Sequence, residues 1–208
     1  SFVDDDFNPS VWDEVNPYVD ELLNRKISCS KCIEGIIRDA SELSEHISEK
    51  GALLYIAMTC DTESEEKRSS FLDFVENIRP KLSEFSDSLN RRLVEHEAVG
   101  NLPARYDLMI RSMKNDIDIF RKENIPLGVE QTRLVTESQT INGAMTVEFD
   151  GNEYTLPEMR RYLESNDRSI REGAWKAVVN RRMQDEDRLS EIFDLSLDSK
   201  YLLISGRV

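Results

Sequence analysis

The sequence predicts a mainly α fold of antiparallel helical hairpins, with one long kinked helix and a single β-hairpin. Three observations predict it. Apolar residues recur at helical spacing along most of the chain, most clearly at Phe71, Val75, Ile78, Leu82, Phe85, Leu89, Leu93 and His96, which keep one phase at about 3.6 residues per turn. Joins between such stripes carry capping boxes, Thr62-Glu63-Ser64-Glu65 and Thr155-Leu156-Pro157-Glu158, in which hydroxyl and carboxylate satisfy each other's free backbone amides. Only Met145-Thr146-Val147-Glu148-Phe149 alternates like a strand, and Asp150-Gly151 follows with the residues of a tight turn.

In chain order, Asn8-Pro9 and Asn16-Pro17 each pair a capping side chain with a proline at a first helical position, so two short helices are expected there. Ile33, Ile36, Ile37, Ala40, Leu43 and Ile47 form the next helical stripe, and Gly51 separates it from the run Ala52 to Cys60. The long stripe then spans residues 63 to 99, roughly 55 Å at 1.5 Å per residue. Pro80 lies inside it and should kink it, because the ring crowds the carbonyl at Glu76. Gly100 is placed for a left-handed cap, and Pro103 prevents continuation. Helices are expected over Ala104 to Lys122 and Leu127 to Thr140, parted by Asn124-Ile125-Pro126. After the hairpin, which returns through Glu153-Tyr154-Thr155, a short helix should end near Glu164. Asn166 or Asp167 then caps a last segment burying Ile170, Ala174, Val178, Leu189, Ile192 and Phe193. The organisation expected is a helical region over residues 1–140, then a β-hairpin with helices over 141–208.

A chain of 208 residues buries roughly 70% of its unfolded surface, so a core is available without disulfides or metal. With 41 acidic against 27 basic residues the net charge is −14, and the mean field repels phosphate backbones and anionic lipid headgroups. Nucleic acid and membrane surfaces are therefore not expected as partners. Three cysteines do not make a disulfide framework and suit a reducing cytosol. Ser1 opens directly into acidic residues, with no signal peptide visible, so a cytoplasmic location is expected.

Several residues could carry chemistry. His96-Glu97-Ala98-Val99-Gly100 starts like H-E-x-x-H, in which two histidines on one helical face hold zinc and the glutamate activates its water, but Gly100 occupies the second ligand position. In phase with Leu89 and Leu93, His96 reads as a histidine at the edge of the core, satisfied by a neighbour. Cys29-Ser30-Lys31-Cys32 has the spacing of two zinc thiolates or of a redox pair. His46 and Cys60 come singly after long gaps, so Cys32 is read as packing at a helix start with Cys29 near its cap. Arg160, Arg161, Arg168, Arg171, Arg181 and Arg182 could bind phosphate or carboxylate, yet they interleave with Glu164, Asp167, Glu172 and Asp185 as a solvated helical face does. Trp175 is read as core rather than as a substrate platform. Asp116 and Asp118 lie on different helix faces and form no acid and base dyad.

The run INGAMTVEFDGNEYTLPEMRRYLESNDRSIREGAW, Ile141 to Trp175, resembles the segment that precedes the catalytic half in oligoendopeptidase F family zinc peptidases. The order is specific: G-A-M-T-V, a D-G turn, T-L, Y-L, D-R-x-x-R-E and a tryptophan. The likeness extends upstream through YDLMIRSMKNDIDIFRKENIPL and downstream to about Leu197. It implies a mainly helical enzyme enclosing a cavity, cleaving short peptides, with zinc held by an H-E-x-x-H helix and a further glutamate. The only histidines are His46 and His96, and neither begins that motif. The resemblance thus implies the N-terminal, non-catalytic portion of such an enzyme, with the zinc helix beyond Val208 in a missing C-terminal catalytic half. No catalytic, cofactor-binding or metal-binding residue is carried onto this chain. The alternative is a stand-alone acidic helical interaction module without enzymatic activity. On the first reading the isolated chain exposes an apolar patch, expected around Leu195, Leu197, Leu202, Leu203 and Ile204.

Overall fold

A computed structural model describes residues 1–4 and 6–206; the last two residues of the expected 141–208 segment lie outside them. The helices are α1 (Trp12–Asn24), α2 (Ser30–Cys60), α3 (Glu65–Asn77), α4 (Arg79–Val94), α5 (Asp107–Ile119), α6 (Asn124–Gly143), α7 (Arg160–Leu163), α8 (Arg168–Met183) and α9 (Glu186–Ser205). Strands β1 (Thr146–Phe149) and β2 (Asn152–Thr155) pair antiparallel, with Val147 opposite Tyr154 and Glu148 opposite Glu153. The mainly α class, the bent long helix and the single hairpin are all present.

The main core lies where α1, α2 and the α3–α4 pair meet. Leu22, Ile33, Ile36, Leu43, Ile78 and Leu93 are buried there almost completely, each burial contributing about 1.5–3 kcal/mol relative to exposure. A polar staple crosses it. Arg25 binds Asp39 at 2.6 Å and Glu21 at 2.7 Å, and Arg92 donates to the carbonyls of Leu22, at 2.9 Å, and Arg25. The two carboxylates hold the Arg25 guanidinium above its ordinary pKa, Glu21 most strongly, against the effect of burial. Glu42 on α2 gathers the N-terminal segment, accepting from the Phe2 and Val3 amides at 2.6 and 3.1 Å and from the Ser1 hydroxyl. Those donors, the hydroxyl first, lower its pKa to about 2.

Several local expectations need correction. The two proline-led helices at the start are one: Pro17 lies inside α1, and Asn8 instead closes a turn by accepting from the Ser10 amide at 3.1 Å. Gly51 does not separate two helices, because α2 runs through it; the residue is buried, and a Cβ there would lie 2.9 Å from the Phe74 ring. Its missing side chain serves a close approach rather than a break. The kink falls at Ile78, with Pro80 in the first turn of α4, where a missing N–H costs no helical bond. The lower arm ends at Val94, and residues 97–101 form a 3₁₀ turn instead of completing the helix. Gly100 sits in that turn; Gly151 is the only glycine with positive φ among the described residues. Asn124-Ile125-Pro126 is the first turn of α6, and the break precedes it.

The hairpin is built as its sequence suggests. Asp150 and Gly151 adopt φ of 51° and 74°, the positive angles a two-residue turn needs to match strand twist. Glu158 then accepts from the Thr155 amide and hydroxyl, both at 2.8 Å, and Asp167 caps α8 by accepting from the Ser169 amide at 2.8 Å. Val147, Met159 and Ala174 form a small core of their own beneath the hairpin.

Candidate functional site

The outer face of α9 departs most from an ordinary surface. Ile192 and Ser199 are buried against α6, whose Gln131 amide donates to Ser196 at 2.6 Å. On the opposite face Phe193, Leu197, Tyr201 and Ile204 are 66, 56, 71 and 64% exposed. Their spacing of four, four and three residues makes a second apolar stripe along one helix. A soluble helix normally buries one such stripe and shows a polar face to water; α9 buries one and leaves the other open. Leu195 and Leu202 are exposed on the other flank of the buried face, and Trp175 and Met183 on α8 are 58 and 57% exposed. Trp175 is therefore not core, nor are Ile170 and Phe193. Leu195, Leu197, Leu202 and Ile204 are exposed where the sequence places an open patch, with Leu203 half-buried. Phe193 and Tyr201 belong to the same stripe as Leu197; their i, i+4 spacing marks the stripe as apolar, and the packing of α6 on the other face of α9 is what leaves it open.

A cleft of about 500 Å³ opens where α4, α5 and α6 meet, lined among others by Arg79, Asp87, Asp116, Phe120, Arg121 and Asn124. Asp87 accepts from Arg91 at 2.9 Å through one oxygen, while its other oxygen is buried without a hydrogen-bond partner. Arg121 is folded back onto the carbonyls of Asp118 and Phe120, at 2.8 Å each. Asp116 thus lines the cleft, but Asp118 does not join it as a second acid.

Cys29 is the N-cap residue of α2 and Cys32 lies within its first turn. Both are free thiols, their sulfurs 3.1 Å apart, with the Ser28 hydroxyl 3.4 Å from Cys32. Hydrogen bonds from Ser28 and then from Cys29 lower the Cys32 pKa to about 6. His96 is half-buried and its Nδ1 accepts from the Ala98 amide at 3.1 Å, so the histidine of HEAVG caps the 3₁₀ turn that follows it. His46 packs edge-on to Phe7, with ring centres 6.3 Å apart. Among the described residues no group of three or more His, Cys, Asp or Glu side chains is placed to hold a metal ion.

Half of the arginine-rich stretch is paired locally. Arg160 binds Glu164 at 2.8 Å, Arg181 binds Asp185, and Arg171 donates to the Ser165 carbonyl at 2.5 Å. Arg161 instead lies over the Tyr154 and Tyr162 rings, at 4.6 and 4.8 Å, whose hydroxyls are bonded to each other at 2.9 Å. These cations do not converge on one site. No helix among the described residues is long and apolar enough to cross a membrane.

Comparison with known proteins places this architecture. A family model described as the peptidase M3 N-terminal domain matches residues 2–120, upstream of the stretch that carries the sequence resemblance. Among solved structures, one described as PZ peptidase A with an inhibitor superposes with a TM-score of 0.85 at 18% identity, over 98% of this chain and 36% of that one. A structure described as oligoendopeptidase F from Bacillus anthracis strain Ames gives 0.87 at 17% identity, over 98% and 38%, and another oligoendopeptidase F gives 0.86 at 18%, over 98% and 36%. At such identities the likeness is one of fold. The chain spans little more than a third of the length of these structures, and no curated protein sequence matches it.

Proposed function

Since the chain belongs to the peptidase M3 N-terminal domain family, we propose that it is the non-catalytic N-terminal region of a zinc-dependent oligopeptidase. In that enzyme it forms part of the wall of a cavity that admits short peptides. The observation that carries this reading is the open apolar stripe of α9, Phe193 to Ile204. A helix apolar on two faces gains stability only when both are covered, and the catalytic half of the same protein is the cover we assign. The overlay of nearly all of this chain on just over a third of three peptidase structures supports the same division.

The described residues do not fit a zinc ion, since no three candidate ligands converge and a zinc site needs three or four. On this reading the ligands and the water-activating glutamate come from the rest of the protein, and no step of hydrolysis falls to residues 1–208. What this region contributes is shape: a helical wall that excludes folded proteins, and polar groups lining a groove that orient an extended peptide.

The reading frame beyond Val208 provides the test. An H-E-x-x-H helix encoded there, with cleavage of a quenched fluorescent peptide by the longer protein and none by the 208-residue chain, is the expected result. A natural stop after Val208 would sink the proposal and leave an acidic helical interaction module. Metal-dependent cleavage by the chain alone would overturn the assignment of catalysis to the missing half.

A further inference from the structure

Cys29 and Cys32 stand outside the proposed peptidase role and outside the cores. We propose that they are a dithiol site that exchanges with low-molecular-weight disulfides and closes to an intramolecular disulfide. Four observations place it. The sulfurs already lie 3.1 Å apart, about 1 Å beyond a disulfide bond of about 2.05 Å. The pair spans the first turn of α2, where the free amides of a helix start favour a thiolate. That first turn contains no acidic residue, and Lys31 lies between the two cysteines. Finally, Cys29 is exposed and Cys32 only half-buried, so a small disulfide reaches both.

The order of events follows from the hydrogen bonds. Cys32 sulfur lies within hydrogen-bonding distance of both the Ser28 hydroxyl and the Cys29 sulfur, two groups that can each donate to it once it is a thiolate, so Cys32 is the attacking sulfur. Its electron pair forms a bond to one sulfur of the disulfide RSSR; the S–S bond breaks, and RS⁻ leaves and takes up the proton that Cys32 released. Cys29 then loses its proton and attacks the Cys32 sulfur of the mixed disulfide, expelling the second RS⁻, which is protonated in turn. Two protein thiols are oxidised and one small disulfide is reduced to two thiols. Because Cys29 precedes the helix as its cap residue, closure requires adjustment of one loop residue, while Ile33 and Ile36 in the next turns keep their burial.

The test uses the 208-residue chain with oxidised glutathione under nitrogen, followed by alkylation and peptide mapping. The expected product has Cys29 joined to Cys32 with no glutathione retained on either, while exposed Cys60 stays available to alkylation or holds a reducible adduct. Cys29→Ser should stop the reaction at a glutathione adduct on Cys32, and Cys32→Ser should slow reaction at Cys29 to the rate seen at Cys60. Retention of glutathione on wild-type Cys32, as in Cys29→Ser, would overturn the proposal, as would equal reaction of all three cysteines. Circular dichroism of both serine variants should match wild type, which separates lost exchange from lost folding.

Discussion

Replacing Gly51 by alanine sets two helix effects against each other, and the structure says which wins. In a helix interior alanine is favoured over glycine by about 1 kcal/mol, and α2 is helical on both sides of residue 51. Against this, a Cβ at residue 51 would meet Phe74 Cε1 at 2.9 Å and Cζ at 3.3 Å. Phe74 is only 4% exposed and packed in the main core, so its ring has little room to retreat, and overfilling such a site costs about 1–3 kcal/mol. The internal control is Gly35 in the same helix, where a Cβ would meet nothing within 4 Å. Gly35→Ala should therefore gain about 1 kcal/mol. Gly51→Ala should fall below it by the overpacking cost, about 1–3 kcal/mol. At about 2–4 °C per kcal/mol for a chain of this size, their melting points should separate by roughly 2–12 °C in parallel thermal scans. Trimming the ring should relieve the clash, so Phe74→Leu should cost less in the Gly51→Ala background than alone. Equal melting points for the two alanine variants would mean that the Phe74 ring gives way to the new methyl group without cost.

Asp39→Ala leaves the Arg25 guanidinium without its most buried partner and should destabilise the chain by about 1–3 kcal/mol in denaturant titration. Glu42, whose pKa falls from 4.5 to about 2 in the folded chain, contributes stability that is complete above pH 4.5 and is lost as pH falls toward 2. The stability gap between wild type and Glu42→Gln should thus be present at pH 7 and close across that window. With a pKa of about 6, Cys32 at pH 6 has about 150 times the thiolate fraction of an ordinary thiol of pKa about 8.5, reduced about 13-fold by lower intrinsic nucleophilicity. Its exchange with a small disulfide should run about tenfold faster than that of a model-peptide cysteine, by stopped-flow absorbance. Phe193→Ser with Tyr201→Ser should lower binding of an environment-sensitive apolar dye while leaving stability within about 0.5 kcal/mol per substitution; a large loss of stability would mean that these side chains are not open to solvent.

What could be read from the sequence was what local chemistry decides. The Asp150-Gly151 turn, the Asp167 cap and the phase of Phe71 to Leu93 depend on neighbours within a few residues, and each is found in the fold; the Thr155–Glu158 contact also forms, but α7 begins only at Arg160, so it closes a turn instead of capping a helix. The errors occur where a distant element decides. Nothing near Gly51 in sequence announces the Phe74 ring, and nothing near Trp175 says that the surface it faces is open. The apolar character of α9 is plain from its residues, but periodicity does not tell which of two stripes α6 covers. His96 shows the same division: its position at the core edge is set by helical phase, whereas its role as a cap depends on where α4 stops. For the candidate site, the open patch was legible as composition, and its extension to Phe193 and Tyr201 required the packing partner to be known.

The bend between α3 and α4 also fixes which parts of the molecule can move. Ile78, at the corner itself, is 1% exposed and wedged among core side chains, so the corner behaves as a welded elbow rather than a joint. Flexing there would withdraw Ile78 from its pocket, at a cost of about 2–5 kcal/mol if the effect resembles truncating such a side chain. The cleft beside Pro80 has its other bank in Phe120 and Arg121, in the loop before α6, and in Asn124, the first residue of α6. On that bank α6 is tied back to α3, where Arg133 binds Glu76 at 2.7 Å and Val129 packs on the cluster of Met58, Phe71 and Val75, so the elbow also sets where α6, and α9 packed on it, come to rest.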